Sequence, residues 1–164
     1  LGMNDTGVFD IANPPENMTV GHWGLDKPVR FFTETGEIDA ELANATAAGF
    51  GAGCLYSTVW DLYLWDRALS TDKLLSKKYM DMIFAPAVNV VGAIIPSDYG
   101  FGWILQTDPV FGAIHEHTGT LGGFRAFNGL FVEQDITVII LYNNAAFPGR
   151  KELLPTVKQA LLAL

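Results

Sequence analysis

Residues 112–142, GAIHEHTGTLGGFRAFNGLFVEQDITVIILY, decide the fold. Three runs rich in β-branched and aromatic residues are joined by links too short for a crossover. Gly112 to Thr118 reads as one strand, Phe124 to Glu133 as the next and Ile136 to Tyr142 as the third. Gln134-Asp135 reads as a tight connection. Strands that follow one another this closely pair antiparallel. Ile136 to Leu141 is nearly all apolar, as a strand covered on both faces should be.

Working outward, Tyr99-Gly-Phe-Gly-Trp-Ile-Leu-Gln106 is aromatic, strand-like and bounded by turn residues, and its rings are expected in the core. A helix is predicted to start near Ser57-Thr58, with Asp61 three residues after Thr58 in a capping-box pattern. Val59, Leu62, Tyr63, Trp65, Ala68 and Leu69 form its broad apolar face. Ser70-Thr71-Asp72 interrupts it, and a second helical stretch covers about Ser76 to Phe84. Pro148-Gly149 breaks the chain, and Lys151 to Leu164 reads as a closing amphipathic helix. Val29 to Glu34 and Glu37 to Ala40 flank Thr35-Gly36 as a small hairpin. Residues 1–25 read as irregular, since Pro14-Pro15, Gly21 and Gly24 break any period. The class is therefore α+β: an antiparallel sheet of about three main strands plus a small hairpin, with helices and a C-terminal helix packing on the sheet.

With 164 residues, 49% of them hydrophobic and 17% charged, the chain is globular and long enough for one domain with its own core. A net charge of -8 argues against nucleic acid as a partner, because phosphates require a basic face. The single cysteine, Cys54, excludes an internal disulfide. Its setting, Phe50-Gly-Ala-Gly-Cys-Leu-Tyr56, has no adjacent base, so it reads as a small buried hydrophobe and not a nucleophile. No apolar run reaches the ~18 residues of a membrane span, and no signal-peptide pattern appears. Leu1-Gly2-Met3-Asn4 opens without an initiator Met, which reads as a piece cut from a longer chain.

His117-Thr118-Gly119-Thr120 is the chemically informative stretch. On a strand His117 and Gly119 share one face, and Thr118 and Thr120 the other. His115 and His117 also face the same way. That spacing would suit two ligands of a zinc or iron site, with a third from His22 or Glu133.

Four motifs occur in order: Leu1-Gly2-Met3 with Thr6-Gly7; Gly53-Cys-Leu-Tyr-Ser-Thr-Val-Trp-Asp-Leu62; Tyr99-Gly-Phe-Gly-Trp103; and His117-Thr-Gly-Thr-Leu-Gly-Gly-Phe124. Together they resemble the C-terminal half of the serine β-lactamase and penicillin-binding-protein superfamily, in the class C-like branch with DD-carboxypeptidases, esterases and D-aminopeptidases. The resemblance implies a partial β-lactamase/transpeptidase-like fold and an acyl-enzyme hydrolase acting on D-Ala-D-Ala peptides, β-lactams or small esters. It implies no cofactor. It makes His117 the first position of the third motif, pointing into the cleft as a proton-relay or carboxylate-binding group. Thr118 and Gly119 complete that motif, and the Thr120 N–H is one of two oxyanion donors. Gly122 and Gly123 let the chain turn away from the cleft edge, and Arg125 is a candidate to bind a substrate carboxylate. His in place of Lys tilts away from a dedicated β-lactamase. Ser-x-x-Lys and Tyr-x-Asn, the nucleophile and proton-transfer motifs of the family, come upstream of Leu-Gly-Met, so both are expected outside this chain and the piece alone is expected to be inactive.

Two local matches are decoys. Ser70-Thr71-Asp72-Lys73 and Tyr142-Asn143-Asn144 fit those patterns, but stand in the wrong order, one at a helix end and the other at a strand-to-turn junction. Two rival readings stay open: a non-catalytic pseudo-enzyme or binding module, and a metalloprotein using His115 and His117. The family is often exported, but no compartment is fixed. An exposed sheet face or edge is expected to promote self-association.

Overall fold

The computed structural model describes residues 1–10, 12–24, 27–28, 51–86, 98–146 and 150–163. The hairpin expected at 29–40 and the break at Pro148-Gly149 lie outside these. In chain order the described elements are β1 (Gly7–Val8), β2 (Leu55–Tyr56), α1 (Val59–Leu69), α2 (Lys77–Ile83), β3 (Ile104–Asp108), β4 (Gly112–Leu121), β5 (Phe124–Phe131), β6 (Ile136–Tyr142) and α3 (Arg150–Leu161). β1 and β2 form a two-stranded ribbon, and β3-β4-β5-β6 a four-stranded sheet in sequence order. The expected set β4, β5 and β6 is thus extended by β3, which pairs antiparallel with β4 from Ile104↔Glu116 to Asp108↔Gly112.

Several boundaries differ from the sequence reading. β4 continues past Thr118 to Leu121, so Gly119 and Thr120 belong to the strand and the turn shrinks to Gly122-Gly123. Both glycines have positive φ, 54° and 79°. A two-residue hairpin twisted like its strands requires that conformation, and a side chain there would clash with the backbone. β5 stops at Phe131, and the turn after it places Asp135 at φ 52° with its N–H donating to Val132 O. Only Ile104 onward is strand in the Tyr99–Gln106 stretch, because Gly100 N–H bonds Trp103 O and Gly102 takes φ 83°, which folds the chain into a turn. β6 spans Ile136–Tyr142 as expected, but its residues are half-buried and Leu141 exposed, so neither face is fully closed by the described residues.

The chain divides into two compact units. The first comprises residues 1–4, 59–117 and 127–140. Leu69, Met80 and Trp103 form a core cluster there, packed by Leu74, Ile83, Phe84, Leu105 and Leu130. Ile114, Phe127 and Phe131 are fully buried. α1 and α2 match their predicted positions. α1 turns differently from expectation: it buries Asp61, Asp66, Ala68 and Leu69 and exposes Val59, Trp60, Tyr63 and Trp65. Asp66 is tolerated inside because Asn128 Nδ2 donates to its Oδ1 at 2.8 Å.

The second unit comprises residues 5–58, 118–126 and 141–164. β1 meets β2 in the register Gly7↔Tyr56, and Phe9 N–H donates to the carbonyl of Cys54, which is buried as expected. Thr6 and Ser57 share a hydroxyl hydrogen bond of 2.8 Å. α3 buries Leu154 and Val157 and half-buries Leu153, Lys158 and Leu161, an amphipathic stripe that closes at Leu161.

Candidate active site on strand β4

Within the first unit, β4 carries His115, Glu116 and His117. Alternation puts Glu116 on the face opposite to that of His115 and His117. Glu116 is completely buried and accepts from Gln106 Nε2, while His117 is exposed. His115 stacks on Phe84, with ring centroids 4.4 Å apart and planes at 14°. Burial pushes its imidazole below the ordinary value, with Glu133 pulling the other way. His117 Nε2 lies 2.7 Å from the hydroxyl of Tyr99, whose ring meets the imidazole edge-on at 5.8 Å and 73°. Tyr99 was expected in the core with its neighbours. Trp103 is there, but Phe101 is exposed and Tyr99 serves His117. The sequence has no signal for this, because an aromatic in a Gly-rich turn reads alike whether it packs by its ring or bonds by its hydroxyl.

β3 runs alongside Gly112–Glu116 and no further, whereas β4 goes on to Leu121. Gly119 and Thr120 are exposed strand residues.

Within the second unit, Arg125 Nη1 donates to Thr120 Oγ1 at 3.1 Å, and Nε and Nη2 donate to the Ala145 carbonyl at 2.9 and 2.7 Å. The guanidinium thus ties the strand to the chain after β6. Ala145 N–H in turn donates to His22 O, and His22 N–H to Asn143 O at 2.8 Å. Gly21 passes so close to the turn that an added Cβ would sit 2.1 Å from Gly122 O. Gly119 is the opposite case. Among the described residues a Cβ there would meet only Ala126 Cβ, at 3.6 Å, an ordinary contact. Thr118, Thr120, Tyr142 and Leu153 of α3 line a cavity of about 30 Å³, room for a single water and not for a substrate.

The decoys are structural. Ser70 Oγ donates to the last-turn carbonyl of Arg67 and Thr71 Oγ1 to that of Ala68, and both Ser70 and Lys73 are exposed. Asn143 Nδ2 binds Thr19 Oγ1 and Val20 O, while Asn144 Oδ1 accepts from Ala146 N in a turn. Glu133, considered as a metal ligand, accepts from Ala113 N–H. Among the described residues no group of three or more His, Cys, Asp and Glu is placed to hold a metal ion. No described helix is long and apolar enough to cross a membrane.

A sequence model of the beta-lactamase family matches residues 1–162. The chain belongs to the beta-lactamase family. Penicillin-binding protein 4* of Bacillus subtilis is 31% identical over 147 residues, which cover 87% of this chain and 32% of that protein. The putative penicillin-binding protein PbpX of the same organism is 32% identical over 95 residues, 58% of this chain and 21% of that one. The chain thus spans a third or less of the curated relatives it matches. Among solved structures, the octameric penicillin-binding protein homologue from Pyrococcus abyssi superposes with a TM-score of 0.68 at 21% identity, over 98% of this chain and 34% of that one. A penicillin-binding protein from Bacillus halodurans does so with 0.70 at 18% identity, over 97% and 45%. These likenesses bear on the fold, an α+β portion of the penicillin-binding-protein architecture.

Proposed function

We propose that this chain is the C-terminal part of a serine acyl-enzyme hydrolase and supplies the cleft-edge strand of its active site. In this reading a serine oxygen, carried by a Ser-x-x-Lys segment outside these 164 residues, attacks the carbonyl of an amide, ester or β-lactam. The C–N or C–O bond breaks, the leaving group takes a proton, and water then releases the acyl group. D-Ala-D-Ala peptides, β-lactams and small esters are the substrate classes. His117 moves that proton or binds the substrate carboxylate, and the Thr120 N–H faces the oxyanion. Thr118 completes the motif behind it, and Gly122-Gly123 turns the strand away. Arg125 anchors Thr120 and offers its guanidinium to a carboxylate.

The observation that carries this reading is Gly119. It sits exposed on β4, and among the described residues an added Cβ would meet only Ala126 Cβ at an ordinary 3.6 Å, so none of them requires a glycine there. A substrate laid along the strand as an added edge strand would require one.

Incubation with a fluorescent penicillin, followed by intact-mass analysis, tests the reading. The 164-residue chain alone should take no adduct. The gene product extended upstream through Ser-x-x-Lys and Tyr-x-Asn should take one, and lose most of its acylation rate on His117→Ala. An adduct on the chain alone, or an upstream region without those motifs, would overturn it in favour of other chemistry or of a non-catalytic module.

A further inference from the structure

We propose that Tyr99 is the positioning residue of His117: its phenol donates to Nε2 and holds the neutral imidazole in the Nδ1–H tautomer. The inference deepens the active-site reading above and rests on it for its catalytic meaning, but its geometry stands independently. The 2.7 Å separation and the edge-on ring pair fix both distance and direction. A phenol releases its proton more readily than a neutral imidazole N–H does, so the O–H is the donor and Nε2 the acceptor. Which nitrogen carries the proton follows from the bond made by the other. If the ring gains a proton, Nε2–H donates back to the phenolic oxygen across the same distance. The ring therefore keeps its place in either state.

Tyr99 is itself firmly held. It stands opposite Ile104 in an isolated antiparallel bridge, and Leu105 N–H donates to Asp98 O at 2.8 Å. Gly100 N–H bonds Trp103 O, and Phe101 N–H bonds Ile83 O at the end of α2. Gly100 lies so near α2 that a Cβ would fall 2.2 Å from Ile83 O, so a side chain there would push the turn outward. The Tyr-Gly-Phe-Gly-Trp stretch is thus a bracket, braced on α2 and β3, that presents one hydroxyl to His117. Tyr99 acts through His117, which makes it a positioning group.

The test is long-range proton–nitrogen correlation NMR on nitrogen-15-labelled protein at about pH 8, above the ordinary imidazole pKa of ~6.5. Only three histidines are present, and His117→Ala assigns its ring. The expected wild-type result is a protonated Nδ1 and a hydrogen-bonded, unprotonated Nε2. Tyr99→Phe should shift His117 towards the Nε2–H tautomer and leave His22 and His115 unmoved. A wild-type ring in the Nε2–H form, or a tautomer unchanged by Tyr99→Phe, would overturn the proposal, and the wild-type measurement decides even if the variant fails to fold. In the upstream-extended protein, Tyr99→Phe should slow acylation about tenfold with KM unchanged. If instead His117→Ala leaves acylation intact, the active-site reading fails while the Tyr99–His117 pairing stands. If His117→Ala stops acylation and Tyr99→Phe does not slow it, the positioning role fails alone.

Discussion

Gly119 and Asp66 show how differently single residues can be constrained. Gly119 is exposed, and among the described residues only Ala126 Cβ lies within an ordinary contact distance of an added Cβ. Gly119→Ala should leave the melting temperature within about 2 °C of wild type, since a strand alanine costs nothing by itself. The same change should lower acylation of the upstream-extended protein at least tenfold, and calorimetry with penicillin labelling would measure the two effects separately. Loss of stability with unchanged labelling would mean that the glycine serves folding. Asp66 is constrained from inside. Burial raises its carboxyl from 3.8 to about 6, with the Asn128 hydrogen bond opposing. Below the unfolded value the carboxyl is neutral in both states and fully compatible with burial. As pH rises through that window the folded protein must ionise a group it keeps dry, so stability falls and the loss is complete by about pH 8. Asp66→Asn should therefore melt about 4 °C higher than wild type at pH 8 and equally at pH 4. A wild-type stability that does not fall between these pH values would refute the assignment. At this scale the sequence singled out His117, because its flanking Thr-Gly and the order of the four motifs carry information, and the site role assigned to it stands as the proposal above. The pairing with Tyr99 was not legible, because hydroxyl partners distant in sequence leave no local pattern.

At the scale of elements, strands were easier to read than faces. Alternation and turn residues located β4, β5 and β6, and α1 and α2 fell within a residue or two of expectation. The rotation of α1 was misjudged: a helix with aromatics on several sides, and two acids able to find buried surroundings, has no unique inward face in its sequence. The end of β4 was set at Thr118, short of Leu121, because the glycines at 119, 122 and 123 leave no unique turn position in the sequence, whereas Gly122 and Gly123 are the ones that take positive φ. That hairpin yields a prediction. Gly122→Ala and Gly123→Ala should each destabilise the protein by about 1–2 kcal/mol in chemical denaturation, the cost of forcing a side chain into left-handed backbone. Neutral effects at both positions would show that the turn relaxes into another type.

At the scale of the whole molecule, charge and apolar surface pull in opposite directions. Val59, Trp60 and Tyr63 are exposed together on α1, where Trp60 is 64% accessible, and the net charge is -8. Apolar surface of this kind associates, and self-repulsion restrains it. Size-exclusion chromatography with light scattering should show oligomers that grow as salt screens the repulsion, and Trp60→Ser should shift them towards monomer. A monomer at every salt concentration would count against the idea. The membership in the beta-lactamase family was legible from motif order alone.

The lone buried thiol has a practical consequence. Cys54 is 6% accessible and its carbonyl is held by Phe9 N–H beside the β1–β2 ribbon. A reagent that modifies thiols can reach a side chain this buried only when the structure around it opens. The ratio of its reaction rate to that of a small-molecule thiol then gives the equilibrium of local opening at one named spot. The protein thus contains its own breathing gauge, readable without any engineered label.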